Sequence, residues 1–154
     1  MKIIGLRASA NEFRYAILER DANGNIVFVN KDFENRIKYP ATIEKIEEKV
    51  YWVKSEIDRI FRINPTIQKV YIKTNEYATE TATRRETTYM DSIFLLSARE
   101  HNLPVERKLN NQIDSTSSKA KEYAENRVGR TQKYWNNTMA DAILAAWWGI
   151  KHNV

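Results

Sequence analysis

The chain has 154 residues, a length that fits one ordinary domain, and 42% of them are hydrophobic. We therefore predict one domain over residues 1–154. The 25 basic and 20 acidic residues leave a net charge of +5, which favours nucleic acid over a membrane as an anionic partner.

Several classes of protein are excluded by what the sequence lacks. No apolar run reaches the roughly 18–20 residues that span a bilayer, and the start Met-Lys-Ile-Ile-Gly is typical of a strand rather than a signal peptide. We therefore expect a soluble, cytoplasmic protein. The chain contains no cysteine and two histidines, so any metal must be bound through oxygen ligands.

The first half of the chain predicts three strands and a helix. Residues 3–7 form an apolar run, residues 13–19 alternate as an antiparallel partner, and residues 26–29 follow a turn signal at 21–25. Between Pro40 and Pro65 apolar residues recur at spacings of three and four, which predicts an amphipathic helix on the sheet. These residues are Ile43, Ile46, Val50, Val53, Ile57 and Ile60.

The second half alternates strands and helices. Residues 70–72 predict a fourth strand, residues 90–101 a helix, residues 104–109 a fifth strand, and residues 115–128 a polar helix that ends near Gly129. Residues 139–150 are almost wholly apolar, with Asp141 as the only charge, and predict a buried terminal helix. The order of elements is that of a mixed α/β fold.

This order and four local segments resemble the RuvC-like resolvase branch of the ribonuclease H-like superfamily. The segments are Ile3-Ile4-Gly5-Leu6, Val70-Tyr71-Ile72, Leu103-Pro104-Val105 and Ala140-Asp141-Ala142-Ile143-Leu144-Ala145. The last is the most specific, because family members carry an Asp-Ala segment at the start of the final helix. The resemblance spans nearly the whole chain. It implies a five-stranded mixed sheet, a three-stranded antiparallel meander plus two parallel strands, flanked by helices.

The resemblance also implies a site where acidic side chains clamp two Mg²⁺ or Mn²⁺ ions and hydrolyse a phosphodiester. The four acidic positions of the family correspond here to Arg7, to the region of residues 73–76 with Glu76 as the candidate, to Thr138 and to Asp141. Only Asp141 is a clean match to the family's acidic residue, so Asp141 and, weakly, Glu76 are the candidate metal ligands. Glu80 is a weaker substitute. A guanidinium at Arg7 stays protonated and repels a divalent cation. We predict a degenerate site with impaired or absent nuclease activity and no cofactor unless it is active, although a one-metal or metal-independent variant stays open.

Each candidate has a simpler interpretation. Asp141 could only stabilise the start of its helix, Glu76 could be a solvated loop residue, and Arg7 could extend to solvent. The sharper hypothesis is that Arg7 forms an ion pair with Asp141 where a metal would otherwise bind.

Basic and aromatic residues are interleaved in two polar segments that flank the candidate site. They predict contacts with phosphates and stacking on unpaired bases. Acidic neighbours such as Glu86 and Glu122 dilute the charge, and a solvated surface is the alternative. The candidate nucleic-acid-binding residues are Arg84, Arg85, Lys119, Lys121, Arg127, Arg130, Lys133, Tyr134 and Trp135.

Two functions therefore compete. The first is a RuvC-like protein that binds branched or structured DNA or RNA. The second is a catalytically inactive domain that serves as a protein-interaction subunit of a phage or mobile-element complex. An actin-like nucleotide-binding protein is disfavoured, since no glycine-rich phosphate loop follows the first strand, and we expect no nucleotide cofactor. The adjacent Trp147 and Trp148 project about 100° apart on a helix, which makes one of them a candidate anchor for a homodimer.

Overall fold

The computed structural model describes residues 1–153, which form a mixed sheet covered by helices on both faces. The strands are β1 (Lys2–Ala8), β2 (Glu12–Arg20), β3 (Ile26–Phe28), β4 (Arg36–Lys38), β5 (Lys69–Lys73) and β6 (Val105–Lys108). Their order in the sheet is β3-β2-β1-β5-β6, and β4 also pairs with β2. The parallel pairs are β1–β5 and β5–β6, and the others are antiparallel.

The predicted α/β fold, with an antiparallel meander joined to two parallel strands, is confirmed. The sheet has six strands, one more than the predicted five. The additional strand, β4, gives little signal in the sequence because it is three residues long and contains one apolar residue, Ile37. Strand β4 exists because it pairs with the far end of β2, where Ile37 lies opposite Phe13.

The helices are α1 (Ile46–Ile63), α2 (Ala82–Glu100), α3 (Ala120–Arg127) and α4 (Asn137–His152), with a 3₁₀ turn at Asn110–Ile113. Helix α2 begins well before the predicted residue 90, because the Thr81 side chain caps it by accepting a hydrogen bond from Arg84 N at 3.2 Å. The predicted helix at 115–128 is shorter than expected. No helix described here is long and apolar enough to cross a membrane.

Successive residues of β1 point to opposite faces of the sheet, which are covered by different helices. Ile4 and Leu6 belong to the core under α1 and α2, whereas Ile3 lies in the core under α4. Gly5 faces α4 so closely that an added Cβ would collide with the backbone of Ala142 and Ala146. This close approach places the first turns of α4 beside the end of β1.

Candidate functional site

The candidate site lies where β1 ends and α4 begins. Arg7 Nε donates a hydrogen bond to Asp141 Oδ2 at 3.0 Å, and the two side chains are only 17% and 11% exposed. The side chain of Asn136 caps α4 by accepting from Met139 N at 2.9 Å, so Asp141 is free to face the sheet. The ion pair put forward from the sequence is therefore present.

Arg7 also reaches a second carboxylate through an amide. Its Nη1 donates to Asn75 Oδ1, and Asn75 Nδ2 donates to Asp91 Oδ2 at 3.1 Å. The hydroxyl of Tyr77 donates to the same Asn75 oxygen at 2.7 Å. Arg7 thus links two buried acidic groups, Asp141 directly and Asp91 through Asn75. Sequence reasoning missed both Asn75 and Asp91.

The two buried carboxyl groups are hard to ionise. Burial raises the pKa of Asp91 to about 6 against the opposing influence of Arg7 and the Asn75 hydrogen bond. Burial also raises the pKa of Asp141, although the charges of Arg7 and Lys73 oppose that rise. Among the described atoms, Asp91 Oδ1 is buried without a hydrogen-bond partner. The Arg7 guanidinium thus favours the charged form of Asp141, against the effect of burial.

Glu76, the predicted ligand after β5, is held by a buried lysine. Lys73 is 1% exposed, and its Nζ donates to Glu76 Oε2 and to the carbonyl of Thr74, both at 2.8 Å. The backbone N–H of Asn110 donates to the same Glu76 oxygen at 2.9 Å. Burial opposes ionisation of Glu76, but these hydrogen bonds and the nearby positive charges outweigh it and lower its pKa.

Arg7 and Lys73 belong to a row of positive side chains that crosses the sheet on the face covered by α4. In the strand register, Arg7 lies opposite Arg14 of β2, Arg14 lies opposite Arg36 of β4, and Lys73 lies beside Lys108 of β6. Strands β1 and β5 are parallel with Leu6 beside Ile72, so the next residues, Arg7 and Lys73, are also neighbours. We refer to these five residues, Lys108, Lys73, Arg7, Arg14 and Arg36, as the cationic row.

Two further carboxylates on this face, those of Glu12 and Glu106, also contact the cationic row. Glu12 Oε2 lies 3.2 Å from Arg36 Nε and 3.6 Å from Arg14 Nε. Glu106 Oε1 lies 3.2 Å from Lys108 Nζ. No group of three or more acidic or histidine side chains that could hold a metal occurs within residues 1–153. The donor set therefore does not fit a pair of divalent cations, because Asp141 and Glu76 are each bound by a cation and Asp91 Oδ1 is the only buried carboxylate oxygen that the described contacts leave without a partner.

Thr138 lies half-buried in the first turn of α4, one turn before Asp141, and supplies no charge. It takes no part in the Arg7 network described above. Its predicted role as a site residue stays a prediction.

The candidate nucleic-acid-binding residues differ in their exposure and in their local contacts. Arg85 pairs with Glu80 at 3.1 Å at the start of α2, where Arg84 covers the ring of Tyr77. Arg127 lies between two aromatic rings and donates to Asp114 O at 2.9 Å. These contacts are local and structural. The exposed members of the set near α3 and before α4 are Lys119, Lys121, Arg130, Lys133 and Tyr134, whereas Trp135 packs half-buried against the core under α4.

The two adjacent tryptophans are both half-buried and covered by polar side chains. Trp148 stacks on His152 with ring centres 4.0 Å apart, and Lys108 Nζ lies 3.9 Å from its ring centre. The guanidinium carbon of Arg127 lies 4.3 Å from the ring centre of Trp147. Neither ring is a bare apolar anchor, so the homodimer stays a prediction that rests on the resemblance.

Neither a family model nor a curated protein sequence matches this chain. Solved structures do match. A structure of Thermus thermophilus RuvC superposes with a TM-score of 0.76 at 12% identity, and a structure of the same protein in complex with a Holliday junction substrate superposes with a TM-score of 0.75 at 14% identity. Each of these matches covers 96% of this chain and 92% of the other.

Two further resolvases match less closely. The yeast mitochondrial Holliday junction resolvase gives a TM-score of 0.62 at 9% identity, covering 97% of this chain and 78% of the other. The fowlpox virus Holliday junction resolvase gives 0.53 at 14% identity, covering 98% and 97%. At these identities the similarity establishes the fold. This chain has the ribonuclease H-like fold of the RuvC-type resolvases, as the sequence resemblance predicted.

Proposed function

We propose that this chain binds branched or otherwise structured DNA or RNA and does not hydrolyse it by the two-metal route. The first part is supported by the fold, since the Thermus thermophilus RuvC of similar fold is in complex with a Holliday junction substrate. The second part rests on one observation, the ion pair between Arg7 and Asp141.

The size of the electrostatic effect favours an inactive site. At an effective dielectric constant near 20, two unit charges about 4 Å apart interact by roughly 4 kcal/mol, so a divalent ion beside the Arg7 guanidinium would be repelled by about 8 kcal/mol. Asp141 attracts such an ion, but it already neutralises Arg7. Glu76 is likewise bound to Lys73. Arg7 and Lys73 therefore offset the charges of Asp141 and Glu76, and Asp91, whose pKa burial raises to about 6, is left among the described residues as the one site carboxyl group without a cationic partner. A single such group is too little negative charge to gather two metal ions.

Binding of nucleic acid does not require the metal site. Exposed lysines and arginines on the α4 side can contact phosphates, and such contacts produce an affinity that falls as salt rises. The overall charge of +5 favours this association. The exposed basic residues that support the proposal are Lys119, Lys121, Arg130 and Lys133.

The test combines binding and cleavage on the same labelled substrates: a four-way junction, a flap, a plain duplex and a single strand. Anisotropy at 50 and 200 mM salt measures binding, and denaturing gels with Mg²⁺, Mn²⁺ or EDTA measure cleavage. We expect salt-dependent binding that prefers the junction or flap to the duplex, and no cleavage in any buffer.

Asp141→Asn is the matched control for the cleavage assay. Metal-dependent cleavage that disappears in Asp141→Asn would contradict the inactive-site half of the proposal. Absence of binding to every substrate would contradict the other half and favour the alternative, a protein-interaction subunit.

A further inference from the structure

A cavity of about 370 Å³ opens beside β4, between the loop of residues 30–35 and the segment of residues 131–134. Two exposed aromatic rings stand at its walls, Phe33 at 78% and Tyr134 at 60% exposure. A phenylalanine this exposed gains nothing from the core, and exposed aromatic side chains beside a cavity are typical of recognition sites.

The first wall is a loop whose backbone is held by hydrogen bonds from two buried asparagines. Asn30 accepts a hydrogen bond from Ile17 N at 2.8 Å and donates to Glu34 O at 2.9 Å. The side chain of Asn35 donates to Phe33 O at 3.2 Å. Because the buried amides hold the loop backbone, the backbone of Phe33 has a defined position at the edge of the cavity, from which its ring extends into solvent.

The second wall is fixed by a buried arginine that contacts both walls. Arg14 is 0% exposed. Its Nη2 donates to Asn35 Oδ1 at 2.9 Å, and its Nη1 donates to Tyr134 O at 2.6 Å. Tyr134 has a φ of 54°, an uncommon conformation for a residue other than glycine. The guanidinium of Arg36 covers one face of the Tyr134 ring at 4.1 Å, so the ring plane is fixed as well.

The charge around the cavity favours an anion. Lys31, Lys38 and Lys133 line it, all three are exposed, and none forms a salt bridge within the described chain. The carboxylate of Glu34 is engaged by Tyr15 and Arg59. Asp32 is the remaining acidic residue of the lining. Exposed ammonium groups around two aromatic rings match a ligand that joins a planar base to a phosphate.

We propose that this cavity binds one unpaired nucleotide of a nucleic-acid strand. The base stacks on the rings of Phe33 and Tyr134, and the flanking phosphates contact Lys31, Lys38 and Lys133. The inference rests on the proposed nucleic-acid binding and adds the part of the substrate that is recognised, an unpaired base rather than a duplex.

The test uses the full chain and single-stranded DNA and RNA oligonucleotides with 2-aminopurine at one position. Phe33→Ala removes an exposed ring and should leave the melting temperature unchanged. We expect it to weaken single-strand binding by roughly 5- to 150-fold, the range for loss of one base–aromatic stack, and to reduce the 2-aminopurine fluorescence change. Tyr51→Ala on α1, at 71% exposure, is the matched control and should change neither.

Charge variants give an independent readout. Lys31→Gln and Lys133→Gln should each lower the slope of log affinity against log salt by about 0.7 on single strands, whereas Lys45→Gln at the start of α1 should leave it unchanged. If the wild type binds the four-way junction but Phe33→Ala and the lysine variants behave like it on single strands, the cavity proposal is wrong and the proposed function stands. If the wild type binds no nucleic acid at all, both are wrong.

Discussion

Replacing Arg7 with methionine should destabilise the protein, because it leaves the Asp141 carboxylate buried without its partner. The pair is 3.0 Å long, and both side chains are less than one-fifth exposed. Removing one partner of a buried pair costs about 3–5 kcal/mol. The residual exposure and the nearby charge of Lys73 favour the lower end, about 3 kcal/mol. For a chain of this length that lowers Tm by roughly 6–12 °C.

The stability lost in Arg7→Met should depend on pH in a defined direction. Burial already raises the pKa of Asp141, and Arg7 is the first of the interactions that oppose the rise, so its removal should raise the pKa further. A carboxyl whose folded pKa exceeds its unfolded value contributes stability below the unfolded pKa and loses it as pH rises through the folded pKa. The cost of Arg7→Met should therefore be larger at pH 8 than at pH 5.

Urea unfolding followed by tryptophan fluorescence at both pH values measures the effect. The double variant Arg7→Met/Asp141→Asn should recover much of the loss, because no buried charge remains. Arg85→Met, which removes a pair with Glu80 whose side chains are 55% and 69% exposed, should cost less than about 1 kcal/mol. A cost below about 1 kcal/mol for Arg7→Met that is equal at pH 5 and pH 8 would refute the view that Arg7 compensates the charge of Asp141.

Three further predictions test the site and its support. Arg7→Asp should bind Mn²⁺ more tightly than the wild type in titration calorimetry, because a carboxylate then faces Asp141; equal binding would contradict the electrostatic argument. Because burial raises the pKa of Asp91 to about 6, wild-type stability should fall as pH rises from about 4 through 6, and Asp91→Asn should remove up to about 3 kcal/mol of that fall. Parallel stability curves for the two proteins would rule this out. Gly5→Ala should cost about 2 kcal/mol or more, because its Cβ would meet the backbone of α4; an unchanged Tm would show that the helix can move away.

The parts of the fold that could be predicted are those where local pattern and burial agree. Strands β1 and β2 and helix α4 combine apolar runs with clear ends, and α1 carries a regular apolar spacing. The start of α2 could not be predicted in this way, because its first two turns are polar. They are helical owing to the Thr81 cap and to the apolar residues further along, such as Met90.

The candidate site was predictable only in part for a related reason. Arg7 and Asp141 lie at a strand end and a helix start, places that the family resemblance assigns to the site. Asn75 and Asp91 come from a loop and from the middle of α2, and their meeting depends on how those elements pack. The one local signal for Asp91 is a carboxylate next to Met90 and one turn before Phe94 on a buried helix face.

The cationic row connects the candidate site to the cavity between residues 30–35 and 131–134. Arg7 binds Asp141 near the start of α4, and the next member, Arg14, contacts Asn136, the cap of that helix, at 3.4 Å. Arg14 also holds the backbone of Tyr134 at the cavity wall. A ligand that displaced Tyr134 would therefore act on the same end of α4 that presents Asp141. Arg7 and Arg14 connect the sheet to α4, because Arg7 binds Asp141 and Arg14 contacts the helix cap Asn136. Contact with phosphate is left to exposed lysines such as Lys133, which lie outside the row.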